Sequence, residues 1–143
     1  MSTALYSHPV CLEHDTGEHH PERSERLRAV EQALADPAFD GLVRLSAPKA
    51  SVAQIERVHT AAYVNNIFEA VPESGHFNID PDTVLSPQSG EAALRAAGGV
   101  CAAVDGVLSG AFSNAFCALR PPGHHAEPSQ AMGFCLFNNI AIG

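Results

Sequence analysis

The sequence predicts an α/β domain built on a mostly parallel sheet. Three observations carry that prediction. Short apolar runs of strand length alternate with helical patterns of three-and-four spacing. At 143 residues, 45% apolar and 17% charged, the chain has the size and composition of one globular domain that can bury a core without disulfides. The sharpest turn in the sequence, Arg120-Pro121-Pro122-Gly123, follows directly on an apolar run, as expected where a buried strand gives way to a loop.

Each element can be justified in order. Thr3-Ala4-Leu5-Tyr6-Ser7 reads as a first strand, followed by a polar, histidine-rich loop from Glu13 to His20. Pro21 suits the first turn of a helix, with Glu22 and Glu25 at its positive end and Leu27, Val30, Ala33 and Leu34 on one face. Asp36-Pro37 stops that helix. Leu42-Val43-Arg44-Leu45 is a second strand. Ser51 to Gln54 has capping-box spacing, with Ile55 and Val58 inward. Tyr63, Val64, Ile67, Phe68 and Val71 form a further apolar stripe. Pro72 to Pro87 reads as a long loop containing Asp80-Pro81-Asp82. Ser86-Pro87 opens the longest helix, in which Leu94, Ala97, Cys101, Val104 and Leu108 share a face. Gly98-Gly99 predicts close packing against a neighbour, and Gly110 a C-terminal stop. Asn114 to Leu119 reads as a buried strand.

Composition excludes several function classes. Sixteen acidic residues stand against eight basic ones, a net charge of -8, which argues against a protein that tracks nucleic-acid phosphates. No apolar run reaches the roughly 18 residues of a membrane span, and no basic segment precedes an apolar stretch at the N-terminus. Cys11, Cys101, Cys117 and Cys135 form no CxxC pair and sit in apolar surroundings, as buried hydrophobes do. The expected setting is the reducing cytoplasm, with no nucleic acid or membrane as partner.

Histidine is abundant, with eight residues that fall mainly in two clusters. In the second, His124 and His125 stand just past the end of the Asn114–Leu119 strand, the edge at which α/β sheets bind ligands. The Pro-Pro-Gly turn holds them on a stiff support. Two neighbouring imidazoles can divide proton transfer, one taking a proton from water and the other giving one to a leaving group. They can also be one buried and one solvated histidine with no chemistry. Adjacent side chains rarely converge on one metal, so a direct zinc-ligand reading is poorer. The first cluster, His14, Asp15, Glu18, His19, His20 and Glu22, is rich in metal donors but has no recognised ligand spacing. It reads as a solvated loop, with a metal-handling site as the alternative.

Arg120-Pro121-Pro122-Gly123-His124-His125-Ala126, followed by Ala131-Met132-Gly133-Phe134-Cys135-Leu136-Phe137-Asn138-Asn139, closely resembles the signature of the zinc-dependent histone deacetylase superfamily. The likeness is to its bacterial histone deacetylase-like, acetylpolyamine amidohydrolase and class II members. His20-Pro21-Glu22-Arg23-Ser24-Glu25-Arg26-Leu27, Arg57-Val58-His59, Ile79-Asp80-Pro81-Asp82-Thr83 and Ser89-Gly90-Glu91-Ala92-Ala93-Leu94 agree with it in the right order. The resemblance implies the arginase/deacetylase fold, a mostly parallel sheet flanked by helices. It also implies hydrolysis of an acetyl amide on a lysine or polyamine nitrogen, with Zn2+ polarising the carbonyl. On this footing His124 is the general base, and His125 an electrostatic stabiliser or proton donor. Gly133 and Phe134 line the tunnel for the aliphatic linker. Asp80 is a rim carboxylate that holds substrate, and Arg26 lies beside a cavity for released acetate. On the residues alone, Phe134 also reads as ordinary core, Asp80 as a turn residue and Arg26 as a solvated helix residue.

The same resemblance places the zinc-binding Asp-x-His pair, the later Asp, the tyrosine that steadies the intermediate and the carboxylates that orient the histidines after Asn139. Residues 1–143 are therefore expected to be the N-terminal part of a single larger domain, without metal ligands of their own and inactive alone. The alternative is a non-catalytic remnant or acyl-lysine-binding module of the same fold. Unpaired strand edges predict aggregation, a homo-oligomer, or a need for the missing part.

Overall fold

The computed structural model describes residues 2–143. Its centre is β1 (Thr3–Ser7), which pairs in parallel with β2 (Leu42–Ser46) on one side and with β5 (Asn114–Ala118) on the other. The registers run Thr3↔Leu42 to Ser7↔Ser46 and Thr3↔Asn114 to Ser7↔Ala118. β1 is apolar on both faces. Ala4 and Tyr6 pack with Ala47 and Ala103, whereas Leu5 packs with Cys11, Leu27 and Ala118. That is the period-two alternation of a strand covered by helices above and below. The chain leaves β1 for β2 on one side and later returns to β5 on the other. The carboxyl ends of β1 and β5 therefore flank a topological switch point, where parallel sheets open a crevice.

Helices α1 (Val10–Glu13) and α2 (Ser24–Ala33) follow β1; α3 (Val52–Ile55) and α4 (Ala61–Ala70) follow β2. The predicted capping box is present: Ser51 Oγ accepts from Gln54 N–H, and the Gln54 side chain accepts from Ser51 N–H. Thr60 caps α4 through Tyr63 N–H. The long helix α5 (Ser89–Leu108) lies against β1 and β5, and α6 (Asn139–Ile142) packs on it. Its Gly98 meets the backbone of Pro48–Ala50. A side chain there would collide with main chain that cannot move aside, which accounts for the glycine. Among the described residues, no helix is long and apolar enough to cross a membrane.

Four expectations need correction. The stretch Pro72–Pro87 is not all loop, since β3 (Phe77–Asp80) and β4 (Thr83–Leu85) form an antiparallel hairpin around Pro81-Asp82. α2 begins at Ser24, not at Pro21. Glu22 is drawn out of the helix by the contacts described below, and Thr16 Oγ1 donates to its carbonyl. β5 is only partly buried, with Phe116 49% exposed; it is an edge strand among the described residues. Leu108, expected on the inner face of α5, is 81% exposed and borders an open apolar hollow with Val104, Phe116 and Ile140.

Candidate functional site

The loops that follow β1 and β5 meet at the carboxyl edge of the sheet, and one ion pair joins them. Arg120 and Glu22 are both buried. Arg120 Nε donates to Glu22 Oε1 at 2.5 Å and Nη2 to Oε2 at 2.7 Å, while Nη1 donates to the carbonyls of Cys11 (2.8 Å) and His14 (3.0 Å). Such a two-pronged pair fixes direction as well as distance. The pair was not legible in the sequence. The only signal was that Arg120 ends an apolar run, where a charge must find a partner.

His14 lies behind this pair. It is buried, its Nδ1 is 2.7 Å from Ser89 Oγ, and that oxygen accepts from Ser86 N–H. Its Nε2 has no hydrogen-bond partner and stands 3.8 Å from Glu22 Oε2. Burial and the Arg120 charge push its pKa down to about 4, against a partial opposing pull from Glu22. His14 is therefore neutral at pH 7.

The segment after Arg120 is braced on its other side as well. Asn139 Nδ2 donates to the Pro121 carbonyl (3.1 Å) and Asn138 Nδ2 to the Ala126 carbonyl (3.0 Å). The Arg120–Pro121 peptide is cis. Between these braces stand His124 and His125, both exposed, with ring centroids 4.3 Å apart and planes at 50°.

Gly133 packs on the second imidazole. A Cβ at Gly133 would lie 2.8 Å from His125 Cδ2, and the residue holds φ +56°, a conformation that favours glycine. Phe134 follows with φ +71°, its N–H donating to Thr83 Oγ1 at 3.2 Å. Its ring meets His20 edge-on at 5.1 Å. His20 is held in turn: its Nδ1 lies 2.9 Å from the Glu22 carbonyl oxygen and 3.1 Å from the Glu22 amide nitrogen, and its Nε2 lies 3.1 Å from the Asp82 carbonyl oxygen. Phe134, His20, Asp82 and Val84 line a cleft of about 390 Å³.

The structure thus brings His124, His125, Gly133 and Phe134 together. Asp80 and Arg26 border separate hollows. Asp80, at the end of β3, lines one with Tyr63 and Ser129. Burial tends to raise its carboxyl pKa, but hydrogen bonds from Asp82 and Thr83 outweigh it and hold the group below the usual carboxylate range. Arg26 is exposed on α2 beside a hollow that Glu22, Arg120 and Phe116 also line.

Among the described residues, no three His, Cys, Asp or Glu side chains converge to hold a metal ion. The donors of the first histidine cluster are dispersed. His14 is turned to Ser89, His20 to Glu22 and Asp82, and Asp15 pairs with His76 at 2.9 Å on the surface. These residues do not fit a zinc centre. The four cysteines are free thiols, and burial raises the pKa of each.

Comparison with known proteins places these features in context. Residues 20–143 match the family described as the histone deacetylase domain. The histone deacetylase-like amidohydrolase of Pseudomonas aeruginosa is 37% identical over 158 residues, covering 98% of this chain and 41% of that protein. A probable deacetylase of Archaeoglobus fulgidus is 39% identical over 145 residues, covering 99% of this chain and 40% of that protein. The crystal structure of the HDA15 HD domain superposes with a TM-score of 0.93 at 33% identity, covering 99% of this chain and 41% of that one. The chain therefore spans about two fifths of the length of these proteins.

Proposed function

The chain belongs to the histone deacetylase domain family, and on that premise we propose that it serves in the hydrolysis of an acetyl amide on a lysine or polyamine nitrogen. His124 is the general base toward water, and His125 stabilises the developing charge or protonates the leaving amine. Gly133 and Phe134 wall the channel for the aliphatic linker, Asp80 steadies substrate outside it, and Arg26 borders the route of released acetate. The observation that carries this reading is the pair of solvent-facing imidazoles, 4.3 Å apart at the carboxyl edge of the sheet, on a loop fastened by the Arg120–Glu22 pair. Imidazoles so placed can exchange protons with a substrate near neutral pH.

The zinc expected of the family has no ligand set among the described residues. The chemistry assigned to this chain is therefore proton transfer and substrate placement. The chain acts as the N-terminal part of one larger domain in the cytoplasm, a setting that its four free thiols support. Purified residues 1–143, given Zn2+ and an acetyl-lysine peptide or an acetylpolyamine, are expected to release no acetate. Zinc-stimulated release by this chain alone would overturn the view that hydrolysis needs residues outside it.

A further inference from the structure

The segment that carries Gly133 and Phe134 hangs from the start of α4. Thr60 N–H donates to the Pro128 carbonyl (3.0 Å), and Thr60 Oγ1 lies 3.2 Å from Ser129 Oγ. Tyr63 O–H donates to the Leu136 carbonyl (2.6 Å). The fourth contact is of a different kind: Asn138 N–H donates to His59 Nε2 at 2.9 Å. His59 is 2% exposed, with its ring 5.3 Å from that of Tyr63 and 5.5 Å from that of Phe137.

An Nε2 that accepts must carry no proton. His59 is therefore neutral with its hydrogen on Nδ1, which faces the Glu127 and Pro128 carbonyls without a well-formed hydrogen bond. A second proton would set two N–H donors against each other at Asn138. The structure assigns His59 the part of a positioning residue: in its neutral form it fixes the Asn138 end of the Gly133–Phe134 loop, and its protonation releases that end.

The groups facing His59 are the Tyr63 ring from α4, the Phe137 ring, the Asn138 amide and the two carbonyls; none of them is charged. Burial is the largest influence and holds the imidazole pKa below its ordinary value, despite an opposing pull from the carbonyls. The contact is thus closed at neutral pH and opens in acid. The importance of this loop rests on reading Gly133 and Phe134 as the channel wall. The test reads the loop itself, so failure here and failure of the hydrolysis proposal are distinguishable.

The test is an NMR titration of the full chain. Asn138 is the reporter, because its amide makes the contact itself, whereas Gly133 and Phe134 also touch the rings of His125 and His20. In the wild type, the His59 Cε1–H and the Asn138 amide are expected to shift with one midpoint below the ordinary histidine range. Asn138 amide protection should fall about tenfold below it, while Ala4 in β1 stays unchanged. His59→Gln keeps an acceptor but does not titrate, so its Asn138 amide should remain protected across the same range. His59→Phe keeps a ring without an acceptor and should leave Asn138 unprotected at every pH. An Asn138 amide that ignores the His59 titration, or that titrates unchanged in His59→Gln, would overturn the assignment. Should a variant fail to fold, the wild-type titration decides alone.

Discussion

Glu22→Ala removes one partner of the buried pair that joins the loops after β1 and β5. Arg120 keeps its donations to Cys11 and His14 but loses both contacts to carboxylate. Both side chains are 5% exposed, so water cannot readily take the place of the lost oxygens. Breaking a buried pair by deleting one member costs about 3–5 kcal/mol. An ordinary domain has only about 5–15 kcal/mol to lose, so the variant should forfeit a large fraction of its stability. Adding Arg120→Met removes the stranded charge and should recover part of that loss, although it leaves two carbonyls short of a donor. Urea unfolding followed by circular dichroism measures all three proteins. If Glu22→Ala costs less than about 1 kcal/mol, as for an exposed pair, Arg120 is solvated and the pair does not hold the two loops together.

Other outcomes follow from the same geometry. His14 has a folded pKa of about 4 against 6.5 when free, so the unfolded chain binds the proton first. Its contribution to stability is complete above about pH 6.5 and is lost as pH falls to about 4, roughly 3 kcal/mol in all; urea midpoints across that window should fall less in His14→Gln than in the wild type. Gly133→Ala would drive a Cβ against the His125 ring at a positive φ, costing about 1–3 kcal/mol and displacing that imidazole, which would show as a lost contact between the two rings in NOE spectra. Phe116→Lys places a charge on the half-exposed edge strand β5, beside exposed Leu108 and Ile140. It should reduce aggregation in light scattering.

What was legible in the sequence was what local chemistry decides. β1 and β2 follow from short apolar runs, the Ser51–Gln54 box from its spacing, and the close approach at Gly98 from a glycine pair inside a helix. The β3–β4 hairpin was not legible, because strands of four and three residues are too short for periodicity to show. Pro21 signals a helix start, but Glu22 answers to Arg120, 98 residues away, and no local rule reports so distant a partner. The candidate site divides in the same way. His124, His125, Gly133 and Phe134 stand in one motif-rich stretch and are close in space. Of the residues that brace them, Asn138 stands in the same stretch, but Glu22 and His59 come from separate parts of the chain, and their contacts become visible only once it is folded.

The central claim is that His124 and His125 perform the proton transfer of amide hydrolysis. The direct measurement is acetate release from an acetyl-lysine peptide by a chimera in which residues 1–143 replace the matching stretch of the Pseudomonas aeruginosa relative. The chimera is expected to hydrolyse the peptide, and His124→Ala or His125→Ala to lower kcat by about 10²–10⁴ with the fold intact by circular dichroism. A folded, active chimera whose kcat is unchanged in both variants would contradict the claim.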